Sequence, residues 1–279
     1  MHPLVRQIRE ALHGSYTDAE ALSLAKMLLV EVFGFSTLEL YGGKDRGFFE
    51  KEQEVLSDIV CRLQNHEPIQ YIIGRETFMG LVFEVNENVL IPRPETQELV
   101  NWVLEDRRAD EGCKILDIGT GSGCIPISLA HFMRGAELEA WDISDGALDV
   151  ARRNASQNEV KVLFRKQNVL EVVPSSSCYD VIVSNPPYIT EKEKVDMEAN
   201  VLDWEPSIAL FVPDTDPLLF YRKIAELGLE MLVAGGALYF EINRAYGEMM
   251  KTMLEDMGYN NVELRKDMFG NDRMIKAIK

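Results

Sequence analysis

The chain has 279 residues, 46% hydrophobic and 27% charged, a globular balance that excludes wholesale disorder or a fibrous repeat and leaves room for two domains. The formal charge is −17, and Lys and Arg never cluster beyond pairs such as Arg152-Arg153 and Arg265-Lys266, so a duplex nucleic acid is an unlikely partner. Without a run of about 18 apolar residues or a leader-like start, and with Cys61, Cys113, Cys124 and Cys178 scattered away from metal-ligand spacing, the expectation is a cytoplasmic protein with no membrane span, no metal and reduced, mostly buried cysteines.

Residues 1–75 read as a helical domain. Apolar positions recur at three- and four-residue spacing through Leu22, Leu24, Leu28, Leu29, Val32 and Phe33, behind a capping box at Thr17 to Glu20, and Gly34 is the expected stop. A second long helix is expected from about Glu50 to Asn65, with Val55, Ile59 and Leu63 on one face and Pro68 beyond its end. From Thr77 to Ile91 the pattern turns to β, with Phe78, Leu81, Phe83, Val85, Val89 and Ile91 among the turn formers Gly80 and Asn86 to Asn88. Residues 76–94 are therefore expected to form a β-hairpin linker, closed by the stiff Pro92-Arg93-Pro94, with a new helix opening near Glu95.

Residues 95–279 alternate short apolar strands with helical stretches, which predicts an α/β domain built on a Rossmann-like parallel sheet. Expected strands are 114–118, 138–142, 160–164, 179–184, 237–242, 261–265 and 274–278. The last two are separated by a turn carrying Gly270-Asn271 instead of a crossover helix, so an antiparallel strand is expected at one end of the sheet.

The first strand runs straight into Gly119-Thr120-Gly121-Ser122-Gly123 and a helix start. Glycines let such a turn bend tightly and admit a ligand against its backbone, beside the free N–H groups of the helix end. The dinucleotide fingerprint needs Gly-x-Gly-x-x-Gly, and Cys124 stands where its last glycine belongs. Asp142, about twenty residues on at the end of the next strand, is placed to accept hydrogen bonds from both ribose hydroxyls of a nucleoside. Asp117 is expected to fix the loop and contact the cofactor's amino end, and Asn168 and Val169, just past the third strand, to flank an adenine ring.

The strand Tyr179 to Ser184 leads into Asn185-Pro186-Pro187-Tyr188, beside the first strand, where an open α/β sheet binds its ligands. An amide or aromatic amine nitrogen is a poor nucleophile because its lone pair is delocalised. The Asn185 side-chain oxygen and the Pro186 carbonyl can each accept one N–H of such a nitrogen and turn its lone pair toward the methyl group of S-adenosylmethionine (SAM). Two consecutive prolines withhold their N–H donors and stiffen the loop, and Tyr188 offers a flat face to the planar group. Asn185, Pro186 and Tyr188 are the expected catalytic residues. Asn185 to Tyr188 together are expected to hold the substrate.

Pro68-Ile-Gln-Tyr-Ile-Ile-Gly74, Val89-Leu-Ile-Pro-Arg-Pro-Glu-Thr96, Leu116-Asp-Ile-Gly-Thr-Gly-Ser-Gly-Cys124 and Val183-Ser-Asn-Pro-Pro-Tyr-Ile189, with weaker support from Glu205-Pro206 and Phe220-Tyr221-Arg222, make the chain resemble the peptide chain release factor N5-glutamine methyltransferases, the HemK or PrmC family. The resemblance covers nearly the whole chain. It implies a class I SAM-dependent methyltransferase sheet, methyl transfer to the side-chain amide of the glutamine in a release factor's Gly-Gly-Gln motif, and S-adenosylhomocysteine as product. It further implies SAM contacts from Asp117, Gly119, Thr120, Gly121, Ser122, Gly123, Asp142, Asn168, Val169 and Asn185, and N-terminal helices that grip the release factor. Pro126, Gln97 and the segment Glu241-Ile-Asn-Arg depart from the family's usual residues.

Asn-Pro-Pro-Tyr is shared with adenine and cytosine amino-methyltransferases, so an enzyme acting on DNA or RNA is the alternative. The acidic charge of both parts of the chain disfavours it. A non-catalytic SAM-binding module would not need the intact loop.

Overall fold

The computed structural model describes residues 1–42, 47–107, 110–174 and 178–279. They divide into two units, residues 1–74 with 198–204, and residues 75–197 with 205–279.

The first unit holds α1 (Pro3–Ala11), α2 (Asp18–Glu31), α3 (Thr37–Gly42), α4 (Glu50–Gln64) and α5 (Ile69–Ile73), joined by the short α9 (Ala199–Leu202) from the later chain. Its core is one apolar cluster from Val5, Ile8, Ala25, Leu28, Leu29, Phe35, Leu56, Ile59 and Leu63. The capping box is present, with the Glu20 carboxylate accepting from the Thr17 N–H at 2.9 Å while the Thr17 hydroxyl accepts from the Glu20 N–H. Helix α2 ends at Glu31, short of Gly34, and α4 ends at Gln64, where His66 turns the backbone to φ 60° two residues on. Pro68 stands at the N-cap of α5, where its missing N–H costs nothing. Tyr16 donates its hydroxyl to the Leu63 carbonyl at 2.8 Å, and Trp204 donates its indole N–H to the Asn65 carbonyl at 3.1 Å.

The second unit opens with β1 (Arg75–Phe78) and β2 (Leu81–Glu84), an antiparallel hairpin. Its two-residue turn has Met79 and Gly80 both at positive φ, 50° and 79°, the backbone a tight hairpin requires. The strand character expected to reach Ile91 stops at Glu84. Val85, Val89 and Ile91 are buried outside the two strands, in a segment turned by an Asn86 side chain that accepts from the Asn88 N–H. The hairpin packs on α8 (Asp145–Gln157). Buried Asn154 accepts from the Glu84 N–H at 2.7 Å and donates to both the Glu84 and Ser122 carbonyls, so one side chain ties the hairpin to the glycine turn.

After α6 (Pro94–Arg107) come β3 (Lys114–Ile118), α7 (Cys124–Phe132), β4 (Glu137–Asp142), α8, β5 (Leu163–Lys166) and β6 (Tyr179–Ser184). They are followed by β7 (Ile189–Thr190), a 3-10 turn (Glu191–Asp196), α10 (Ser207–Leu210), β8 (Phe211–Val212), α11 (Leu219–Met231), β9 (Leu232–Glu241), α12 (Gly247–Asp256), β10 (Asn260–Lys266) and β11 (Asp272–Ile278). Seven of these strands form one sheet in the order β10-β11-β9-β6-β3-β4-β5. Strands β3, β4, β5, β6 and β9 run parallel, while β11 pairs antiparallel with both β9 and β10, as the missing crossover predicts. Strand β5 starts at Leu163, three residues later than expected, because the Val160 N–H is spent on the Ala155 carbonyl in closing α8 and Glu159 sits at φ 56°. Separate apolar clusters cover the two faces of the sheet, one centred on α6 and α7 and the other on α11 and α12. The chain order reverses between β3 and β6, so the loops after these two strands flank a crevice at the carboxyl edge.

Candidate active site

A cavity of about 320 Å³ occupies that crevice, lined entirely by residues of the second unit. Its walls include Gly119, Thr120, Gly121 and Ser122 after β3, Asp142 to Ser144 after β4, Gln167 to Leu170 after β5, and Asn185 to Pro187 after β6. The segment Asn88 to Arg93 with Thr96, and Pro206, Ile208 and Ala209, also line it. Of the residues expected at the site from the sequence, Asp117, Gly123 and Tyr188 do not reach the cavity wall.

Three glycines shape the turn, with φ of 78° at Gly119, 53° at Gly121 and 82° at Gly123. A Cβ on Gly123 would stand 2.8 Å from the Ile127 side chain and 3.2 Å from that of Ala151, so helices α7 and α8 close on a bare backbone there. Gly119 faces the loop after β6, and a Cβ on it would lie 4.0 Å from the Asn185 carbonyl oxygen. Ser184 locks the two strand ends together by donating its hydroxyl to the Ile118 carbonyl at 2.5 Å.

Asp142 is oriented by the backbone: one carboxylate oxygen accepts from the Gly121 N–H and the other from the Ser144 N–H, both at 2.9 Å. Burial raises its carboxyl above the usual range, against these backbone bonds. Asp117 is 0% exposed, and neither of its oxygens, nor the buried Thr120 hydroxyl beside it, meets a hydrogen-bond partner of ordinary geometry among the described residues. Burial pushes the Asp117 carboxyl up to about 7, with Thr120 lowering it in part and Asp142 raising it further. A buried carboxylate and hydroxyl left without partners at the mouth of a glycine turn fit the amino end of an amino-acid-bearing nucleoside such as SAM.

The acceptor side is a relay of side chains. Asn185 donates its Nδ2 hydrogen to Thr96 Oγ1 at 3.2 Å, and Thr96 donates to Glu241 Oε2 at 2.6 Å. Tyr188 donates to Glu241 Oε1 at 3.2 Å, and its own carbonyl accepts from Asn243 Nδ2 at 3.1 Å. The Tyr188 ring packs against the cluster of α11 and α12, and burial with the nearby Glu241 charge pushes its hydroxyl well above the usual value. Glu241 is itself raised by burial, opposed by the Thr96 hydrogen bond, the Arg273 charge and the Tyr188 hydrogen bond. Arg93 pairs with the buried Glu205, which also accepts from the Ile91 N–H at 3.2 Å, and so fastens the proline-rich segment at the cavity wall.

Thr96, Glu205 and Glu241 enter the sequence reading only inside motifs, with no role. Apolar wall residues such as Trp141, Ile143, Leu170 and Phe220 carry no signal in the sequence beyond ordinary core character. The cysteines divide evenly, Cys113 and Cys124 buried but Cys61 and Cys178 exposed, where mostly buried positions were expected. Cys124 lines the cavity, yet burial pushes its thiol up to about 12, which removes it as a nucleophile.

Residues 3–74 match the family described as PrmC N-terminal domain, and residues 96–203 match Methyltransferase small domain. A release factor glutamine methyltransferase from Bacteroides thetaiotaomicron is 49% identical, covering 99% of both chains. One from Flavobacterium psychrophilum is 50% identical over 97% of this chain and 96% of its own. A crystal structure of a methyltransferase from Pyrococcus furiosus superposes with a TM-score of 0.54 at 20% identity, covering 83% of this chain and 99% of that one, which shows a shared fold. With a sheet of methyltransferase topology, a glycine turn and an Asn-Pro-Pro-Tyr loop on one cavity, and relatives of nearly equal length at half identity, the chain belongs to the release factor glutamine methyltransferase family.

Proposed function

We propose that the protein transfers a methyl group from SAM to the side-chain amide nitrogen of the glutamine in the Gly-Gly-Gln motif of peptide chain release factors. The observation that carries this reading is a cavity walled on one side by the glycine turn and Asp142 and on the other by Asn185, Pro186 and Pro187. Family membership, and relatives whose names state release factor glutamine methylation, favour that substrate over adenine or cytosine in a nucleic acid.

SAM supplies a methyl group on a positively charged sulfur. Asp142, already held by two backbone N–H groups, keeps lone pairs free for the ribose hydroxyls. Thr120 on the cavity wall receives the amino end with Asp117 buried behind it, and the charge of that ammonium favours the ionised carboxylate that burial alone disfavours. Asn168 and Val169 stand on the wall where the adenine lies. Asn185 Oδ1 and the Pro186 carbonyl accept the two N–H bonds of the substrate amide, which draws its nitrogen out of conjugation. As the nitrogen–methyl bond forms the methyl–sulfur bond breaks, S-adenosylhomocysteine leaves as a neutral thioether, and one of the two amide protons is given up to solvent. Most of the rate then comes from holding nitrogen and methyl in line at contact distance. Residues 1–74, the matched PrmC N-terminal region, grip the body of the release factor. Reduced cysteines and an acidic surface suit a cytoplasmic enzyme working on a cytoplasmic substrate.

The test incubates the purified protein with methyl-labelled SAM and release factors carrying either Gly-Gly-Gln or the same loop with its glutamine replaced. Label is expected on the intact loop alone. Equal label on the replaced loop refutes the acceptor assignment.

A further inference from the structure

The hydroxyl of Thr96 has one proton and two lone pairs, and the structure uses all of the geometry this allows. Its proton points to Glu241 Oε2 at 2.6 Å. Burial disfavours the charge on Glu241, while the Thr96 hydrogen bond, the Arg273 charge and the Tyr188 hydrogen bond favour it. As the carboxylate it can only accept, and its other oxygen already receives the Tyr188 hydroxyl. The lone pairs of Thr96 therefore face Asn185. A side-chain amide has one donor end and one acceptor end, and only the NH2 end can bond to a lone pair. The opposite orientation would set Asn185 Oδ1 against Thr96 Oγ1, two acceptors at about hydrogen-bond distance with no proton between them. Glu241 is 1% exposed and Thr96 2%, so water is not at hand to relieve that conflict.

We infer that Thr96, with its proton held by Glu241, is a positioning residue that sets which way the Asn185 amide faces and thereby presents Asn185 Oδ1, not its NH2, to the substrate nitrogen. The inference rests on the methyl-transfer reading above and deepens it. An Asn185 turned the other way would offer donors to a nitrogen that has only N–H bonds to give, and the site would bind its acceptor without activating it. The relay joins three segments, α6, the loop after β6 and the end of β9, so the hydrogen-bond sense of the catalytic loop is dictated from outside it.

The experiment compares Thr96→Val, which keeps the shape and removes the hydroxyl, with Thr96→Ser, which keeps the hydroxyl. Single-turnover methylation of a release factor, its KM, calorimetric affinity for S-adenosylhomocysteine and the melting temperature are measured for each. Thr96→Val is expected to lower kcat by about tenfold or more, with KM and cofactor affinity within about threefold of wild type. Thr96→Ser is expected to recover most of the rate. In an Asn185→Ala background the Thr96→Val change is expected to have no further effect on kcat, since a group that acts only through Asn185 has nothing left to act on. Should Thr96→Val fail to fold, Thr96→Ala takes its place with the same expectations. A Val or Ala variant as fast as wild type, a Ser variant as slow as Val, or full additivity with Asn185→Ala overturns the inference. An inactive wild-type protein would instead overturn the methyl-transfer reading.

Discussion

On the side of β3 and β4 the cavity is shaped mostly by backbone: Gly119 and Gly121 at positive φ on the wall, and N–H groups of Gly121 and Ser144 aimed at Asp142. On the side of β6 it is shaped by a chain of side chains, Asn185 to Thr96 to Glu241 to Tyr188, in which each hydroxyl proton has its acceptor. The first side carries unmet polar demand, since Thr120 on the wall and Asp117 buried behind it have no hydrogen-bond partner of ordinary geometry among the described residues. The second is satisfied before any ligand arrives. On the methyl-transfer reading proposed above, the cofactor supplies the missing partners on the first side while the second is already ordered, which is the division that catalysis by orientation requires.

The largest effect that tests this division lies on the rigid wall. Asn185→Ala removes the acceptor oxygen and strands the lone pair of Thr96, and it is expected to lower turnover by about 10²–10³, the scale of losing one preorganised polar group. Affinity for S-adenosylhomocysteine, measured by calorimetry, should change by no more than about threefold. Equal losses in turnover and cofactor affinity would mean that the two walls are not separate devices.

The next effect lies on the unsatisfied wall and has opposite signs for stability and binding. The Asp117 carboxyl ordinarily titrates near 3.8 and is raised in the folded protein to about 7. Because the folded value lies above the unfolded one, the folded state holds the proton more tightly between these values, and this group's contribution to stability falls as pH rises from about 4 to about 7. The loss is up to roughly 4 kcal/mol at its full extent. Asp117→Asn removes it, so the variant without cofactor should melt at about the wild-type temperature near pH 4 and above it near pH 8. The same substitution removes the partner of the cofactor's ammonium and should weaken S-adenosylhomocysteine by about 10- to 100-fold at neutral pH. In the wild type that affinity should decline as pH drops through about 7. A variant that melts lower than wild type near pH 8 would show that Asp117 already has a partner in the folded protein.

How far each wall can be read from sequence follows from the same difference. The glycine turn and Asp142 lie within one strand-turn-helix-strand stretch, and their roles follow from local spacing. Asn185 and its prolines announce the acceptor loop, but its hydrogen-bond sense depends on Thr96, 89 residues away, and Glu241, a further 145 from Thr96. No spacing rule connects these. Tyr188 shows the limit of reading a residue by type: its aromatic face suggests a stacking surface, while the fold commits its hydroxyl to Glu241 and its ring to core packing. The hairpin is legible in its alternation and turn, yet its end at Glu84 is decided by Asn154, 70 residues on, which takes the Glu84 backbone groups for itself.

That asparagine yields the smallest and most local of the tests. Asn154 is 0% exposed and serves three backbone groups: the Glu84 N–H, the Glu84 carbonyl and the Ser122 carbonyl. Asn154→Ala leaves all three buried without that partner and should cost about 1–3 kcal/mol of stability by denaturant unfolding. Turnover at saturating cofactor should stay within about twofold, because the glycine dihedrals that shape the turn do not pass through Asn154. Asn154→Asp keeps the acceptor for the Glu84 N–H but sets a carboxylate oxygen against the Glu84 and Ser122 carbonyls, so it should destabilise more than Ala despite being closer in shape. The reverse order would mean that the side chain serves mainly to fill space. A steep loss of turnover in the Ala variant would mean that the glycine turn depends on the hairpin, and the backbone wall would then share the long-range dependence of the side-chain wall.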